Sequence, residues 1–249
     1  MSDERQRMTS SDGQNSIAYQ HEPRGTVGVV FLHGFRSDMT GSKAVALAEK
    51  CRELGLSFTA LDYRGHGQSS GHYTDFVVSD WLADVLQIID NVTSGPLILV
   101  GSSLGGWLML LAAKLRPERV KALIGIAPAP EFPRRRVLAN ATPEKIAEYT
   151  AHNRITEQSL YGDEPNIFTK ALIEDSDRHP IFGQPFSFNG PVRILQGMRD
   201  TAVPPENANL LMGIIDSSDI EVTLVKNADH SVSSTAQLKL LCRLLEELV

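Results

Sequence analysis

Cysteine is nearly absent from this sequence, with two, Cys51 and Cys242, among 249 residues. So few thiols exclude a disulfide framework of the kind that staples small secreted domains. Both fall in segments with amphipathic helical spacing, which predicts free thiols in a reducing compartment. Positive charge is also in short supply: 24 Lys and Arg stand against 30 Asp and Glu, a formal net charge of -6. A nucleic-acid footprint needs a clustered excess of basic side chains, and the one basic cluster is Arg134-Arg135-Arg136. No uninterrupted apolar stretch approaches the length of a membrane span. The first dozen residues include Asp3 and Glu4, and they lack both the apolar core of a secretory signal and the acid-poor, Arg-rich character of an organelle presequence. These features predict a cytoplasmic protein. No histidine pairs with Cys or Glu at metal-ligand spacing, and no repeat or Pro/Gly/Ser-rich linker divides the chain. The expectation is one domain over residues 1–249, with no metal, no nucleic-acid partner and no membrane span.

What is present is an alternation of strands and helices. Residues 27–32, 56–61, 97–100, 120–127 and 192–196 are short, largely β-branched or apolar runs, the pattern of strands covered on both faces. Between them lie segments of helical period, such as 43–54 and the stripe Trp81, Leu82, Val85, Leu86, Ile88 and Ile89. Residues 206–215 predict another helix, 221–225 a strand, and the chain closes on an amphipathic helix. Such a succession predicts an α/β fold with a parallel sheet and helices on both faces. The rhythm breaks between residues 128 and 191, where six prolines and a charged helical piece at 143–152 replace it. This section predicts a small, mostly helical lid insertion at about residues 130–190.

Gly101-Ser102-Ser103-Leu104-Gly105 sits where a buried strand must turn sharply into a helix. That context is the one a nucleophile elbow requires, with glycines two residues either side of Ser103 leaving room for neighbouring segments. A serine hydroxyl is a poor nucleophile at neutral pH and needs a base, and the base needs an orienting acceptor. In open α/β sheets functional groups gather beyond the C-terminal ends of strands. Asp200 follows the strand at 192–196, and His230 follows the last strand. Alternatives stand beside them: Ser102 if the elbow register slips by one, Asp229 as the acid because it adjoins His230, and Asp62 as a turn-capping acceptor. His33 and His66, in glycine-rich turns, read as locally hydrogen-bonded loop residues.

The order serine, acid, histidine resembles that of the α/β-hydrolase superfamily. The likeness runs through His33-Gly34-Phe35, Asp62-Tyr63-Arg64-Gly65-His66-Gly67-Gln68-Ser69, the elbow, Gly197-Met198-Arg199-Asp200 and Asp229-His230. Leu32-His33-Gly34-Phe35-Arg36-Ser37-Asp38-Met39, taken with Gly106-Trp107-Leu108-Met109 after the elbow, is similar to the mitochondrial acyl-glucuronide esterase or palmitoyl-protein thioesterase family and its bacterial relatives. The resemblance implies an α/β-hydrolase fold and a serine esterase or thioesterase needing no cofactor. It assigns the oxyanion donors to the backbone N–H groups of Phe35 and Leu104. The substrate it implies is a small acyl ester or thioester, or an acylated protein. A C–C bond hydrolase on the same triad and a non-catalytic binder on the same fold are the competing readings. One arginine of Arg134, Arg135 and Arg136 facing the pocket would bind an anionic substrate group, whereas all three on a solvated face would not.

Overall fold

The continuous apolar runs become the middle of a sheet. The computed structural model describes residues 6–159 and 164–249; the first five residues of the opening polar stretch and residues 160–163 of the expected insertion lie outside the described residues. The chain begins with β1 (Gln6–Thr9), β2 (Ser16–Glu22) and β3 (Gly28–Leu32), then α1 (Ser42–Leu54) and β4 (Ser57–Asp62). It continues through α2 (Val78–Asn91), β5 (Leu97–Ser102), α3 (Leu104–Leu115) and β6 (Val120–Ile126). After a long excursion it returns as β10 (Val192–Gly197), α6 (Glu206–Ile214), the two-residue β11 (Ile215–Asp216), β12 (Ile220–Val225) and α7 (Thr235–Glu246). Eight strands pair in the order β1, β2, β4, β3, β5, β6, β10, β12. The pairs from β4 to β12 are parallel, and only β1 and β2 run against their neighbours.

Every residue of β3, β5 and β10 is buried, because helices cover both faces. On one face α1 presents Ala44, Leu47, Ala48 and Cys51 and α7 presents Leu241, Leu244 and Leu245. On the other, α2 buries Trp81, Val85, Ile88 and Ile89 against α3, whose Trp107 is fully buried. The registers place Leu32 beside Gly101, Ser102 beside Ile126, and Gly197 beside Val225. The loops that leave β3, β5, β6, β10 and β12 therefore open along one edge of the sheet.

The excursion between β6 and β10 starts with a π-helical turn (Pro133–Leu138) and α4 (Pro143–His152), whose first turn is capped by the Thr142 hydroxyl. It is less helical than the sequence suggests. β7 (Arg154–Glu157) and β8 (Asn166–Thr169) form an antiparallel pair that sets Ile155 opposite Phe168, both buried. α5 (Lys170–Ser176) and β9 (Phe186–Ser187), which pairs with β11, complete it. Strands of four residues are too short to show an alternating pattern, and each of these buries a single large side chain. β1 escapes sequence reading for a related reason: it is an edge strand of four polar or half-buried residues.

Candidate active site

Ser103 sits between β5 and α3 with φ 54° and ψ -116°, a backbone conformation costly for a residue with a Cβ. Its surroundings hold it there. Its N–H donates to the Ile126 carbonyl at 2.9 Å, and its carbonyl accepts from the N–H groups of Gly106 and Ala129. A Cβ on Gly101 would press on the backbone of Gly105 and Gly106, and one on Gly105 would strike the Leu32 carbonyl. The two glycines thus let strand, helix and the neighbouring β3 pass within backbone contact.

His230 Nε2 lies 2.9 Å from Ser103 Oγ, and His230 Nδ1 lies 2.7 Å from Asp200 Oδ2. A carboxylate only accepts, so Nδ1 carries the proton and Nε2 faces the hydroxyl as a base would. Asp200 is fixed in turn: Oδ1 accepts from the N–H groups of Ala202 and Val203 at 2.8 and 2.7 Å, and Oδ2 from Gln196 Nε2 at 3.0 Å. The structure brings Ser103, His230 and Asp200 into one hydrogen-bonded chain. Asp229 turns its carboxylate instead to the Ser231 N–H and hydroxyl. Ser102 is buried within β5.

Leu104 opens α3, so its N–H belongs to the first-turn amides that no helical carbonyl can satisfy. Phe35 follows β3 in a loop that runs past the elbow: a Cβ on Gly34 would lie 3.5 Å from Ser103 Cβ. The Phe35 ring stacks on Phe168 at 5.5 Å and meets Phe132, Tyr73 and Trp81 edge-on or tilted. Next in the chain, Arg36 reaches the excursion, donating to the carbonyls of Glu164 and Pro165 and to Asn166 Oδ1 and pairing with the Glu164 carboxylate. None of these contacts leaves a local signal in the sequence, since the partners lie far apart along the chain.

Behind this loop is a second histidine–aspartate pair. His33 and Asp62 are each 1% exposed, with His33 Nε2 3.8 Å from Asp62 Oδ1. His33 Nδ1 donates to the Gly34 carbonyl at 2.8 Å, while the Asp62 oxygens accept from the N–H groups of Met39 and Gln68. Burial pulls the His33 imidazole below its ordinary value and pushes the Asp62 carboxyl above its own. His66 is buried against Trp81 and Tyr63, and burial pushes its imidazole down to about 3.

A cavity of about 420 Å³ opens over Ser103 and His230, within the range of small-molecule sites. Ala129, Phe132 and Phe168 give it an apolar wall, and Ser42, Lys43, Ser231 and Ser233 a polar one. Of the three arginines, Arg136 lines the cavity, but its guanidinium is paired with Glu157 at 2.8 Å and lies over the Phe168 ring. Arg134 pairs with Asp177 on the surface, and Arg135 covers Phe182. Among the described residues no group of three or more His, Cys, Asp or Glu could hold a metal ion, and no helix is long and apolar enough to cross a membrane.

The sequence pattern of the family described as serine aminopeptidase, S33, matches residues 21–178. The mitochondrial palmitoyl-protein thioesterase ABHD10 of Mus musculus is 38% identical over 239 residues, covering 94% of this chain and 79% of that protein. A putative hydrolase from Agrobacterium vitis S4 superposes with a TM-score of 0.95 at 33% identity, over 99% of this chain and 98% of the other. The alpha/beta hydrolase domain-containing protein 10 from mouse gives 0.90 at 36% identity, over 98% of each chain. The chain belongs to this family, has the α/β-hydrolase fold and is a serine hydrolase of the ABHD10-like type. The expected cytoplasmic location does not stand: the mammalian relatives are mitochondrial proteins by name. The polarity of a few opening residues was the wrong observable, because a compartment is reached through an address that a receptor reads and not through the packing of the folded domain.

Proposed function

We propose that this hydrolase cleaves acyl thioesters and esters, with Ser103 as nucleophile, His230 as general base and acid, and Asp200 as the group that orients the imidazole. The observation that carries the reading is the unbroken hydrogen-bond chain from Ser103 Oγ through both ring nitrogens of His230 to a buried, three-times-bonded Asp200. Ser103 Oγ attacks the acyl carbonyl carbon as His230 Nε2 takes its proton. Charge gathers on the carbonyl oxygen, which the N–H groups of Phe35 and Leu104 receive. Collapse expels the thiol or alcohol, protonated by His230, and leaves the acyl group on Ser103. Water, deprotonated by the same nitrogen, then releases the carboxylic acid.

The apolar wall of Ala129, Phe132 and Phe168 suits an acyl chain, and the hydroxyl-lined wall a polar leaving group. The relatives named palmitoyl-protein thioesterases support a thioester among the substrates. In this reading residues 1–249 form one catalytic domain, and the segment at about 130–190 closes over the cavity as a lid.

Ser103→Ala tests the assignment. Turnover of an octanoyl thioester should fall by several orders of magnitude with the thermal midpoint preserved, and a fluorophosphonate should label the unaltered protein but not the variant. Near-normal turnover in the variant would move the nucleophile elsewhere.

A further inference from the structure

Three cations line the cavity over Ser103: Arg36, Lys43 and Arg136. The two arginines are paired with Glu164 and Glu157. Lys43, on the first turn of α1, has no carboxylate within ion-pair distance among the described residues. Its Nζ donates instead to the backbone carbonyl of Ser231 at 2.6 Å, a residue 188 positions away and next in the chain to His230. Burial draws its ammonium below the ordinary lysine value, opposed by the charge of Asp229. A half-buried ammonium spent on one carbonyl is a costly device, and it requires a return.

The loop it touches needs support. Val232, two residues past His230, holds φ 44° while 1% exposed, a conformation rare for a β-branched side chain and sustained only where the surroundings over-determine it. Ser231 is where the restraints meet. Its N–H and hydroxyl bind the Asp229 carboxylate at 3.0 and 2.6 Å, its hydroxyl oxygen accepts from Ser233, and its carbonyl accepts from Lys43. All but the last lie within the loop itself. Lys43 alone among these groups ties the loop to another element, and α1 is packed on the sheet and on α7 through Ala44, Leu47 and Cys51.

We infer that Lys43 is a positioning residue for hydrolysis: by holding the Ser231 carbonyl it fixes the loop that aims His230 Nε2 at Ser103. The inference rests on His230 as the base, which labelling of Ser103 in the unaltered protein tests separately. It acts through the loop and touches no reacting atom. A charge-assisted hydrogen bond to a fixed acceptor is strong enough for its loss to cost about tenfold or more.

The experiment compares Lys43→Met, Lys43→Gln and Lys43→Arg with the unaltered protein. It measures kcat and KM on a neutral octanoyl thioester and the downfield proton resonance of the His230 Nδ1–H. The expected result is a fall in kcat of about tenfold in the Met and Gln variants with KM within twofold, a shifted or broadened resonance, and recovery of both readouts in the Arg variant. If Met prevents folding, the contrast of Gln with Arg gives the same reading. A kcat within twofold of the unaltered protein in the Gln variant would overturn the inference. So would a rise in KM alone, which would make Lys43 a substrate contact, or an unmoved resonance beside a reduced kcat.

Discussion

Of the three histidine–aspartate pairs among the described residues, two lie at the same edge of the sheet, and of these two only one meets the Ser103 hydroxyl. His230 and Asp200 join at 2.7 Å through Nδ1, with Nε2 turned to the Ser103 hydroxyl. His33 and Asp62 stand 3.8 Å apart through Nε2, and His33 spends its Nδ1 proton on the Gly34 carbonyl. Asp200, His230 and His33 lie on loops that leave this edge, while Asp62 is the last residue of β4. Proximity of an imidazole and a carboxylate is therefore not in itself a relay. A relay needs the carboxylate on one ring nitrogen, the reacting hydroxyl on the other, and a cavity above; in the second pair both groups are sealed from water and serve the backbone around them.

The largest effect should come from making the same change in each pair. Asp200→Asn places an amide where Nδ1–H needs an acceptor and should lower kcat by about 10⁴-fold, the size seen when a triad histidine is left in the wrong tautomer. Steady-state kinetics at neutral pH measure it, and a loss below tenfold would mean that Asp200 does not orient the base. Asp62→Asn should leave kcat within about tenfold but put an NH₂ donor against the N–H of Met39 or Gln68. Stranding one such group costs about 1–3 kcal/mol, to be read as a lowered denaturant midpoint. Equal kinetic losses at the two sites would erase the distinction.

A smaller effect separates the buried histidines from the exposed site by pH. His66 is held down at about 3 in the folded chain, while an unfolded histidine titrates near about 6.5. The unfolded state therefore takes up the proton first, and the stability this group contributes is lost progressively as pH falls from about 6.5 toward about 3. The slope approaches at most ~1.4 kcal/mol per pH unit. His66→Phe keeps the ring contacts with Trp81 and Tyr63 and removes the titration, so the unfolding free energy of this variant should depend less steeply on pH over that window. An unchanged slope would contradict the burial argument.

The excursion between β6 and β10 shows why legibility was uneven. β3, β5 and β10 are buried on both faces, so their sequences had to be apolar throughout, and their positions could be read directly. β7 and β8 bury one large residue each, Ile155 and Phe168, and nothing periodic marks them. Arg134, Arg135 and Arg136 read as one cluster but part company in space: a surface ion pair, a ring contact, and a cavity wall. Lys43 read only as the start of a helix.

By itself the sequence determined the class of the molecule: alternating buried strands and helices, a glycine-flanked serine at a strand–helix turn, and an acid and a histidine placed beyond later strands. These are local constraints, imposed by burial on both faces of a strand and by backbone contact at Gly101 and Gly105, so they must be written in consecutive residues. The tertiary structure alone decided which aspartate meets which nitrogen, which arginine faces the cavity, and that Lys43 grips the carbonyl after His230. Those choices depend on groups brought together from 30 to 188 positions apart, and a hydrogen bond between distant residues asks of each only its chemistry, leaving no pattern along the chain.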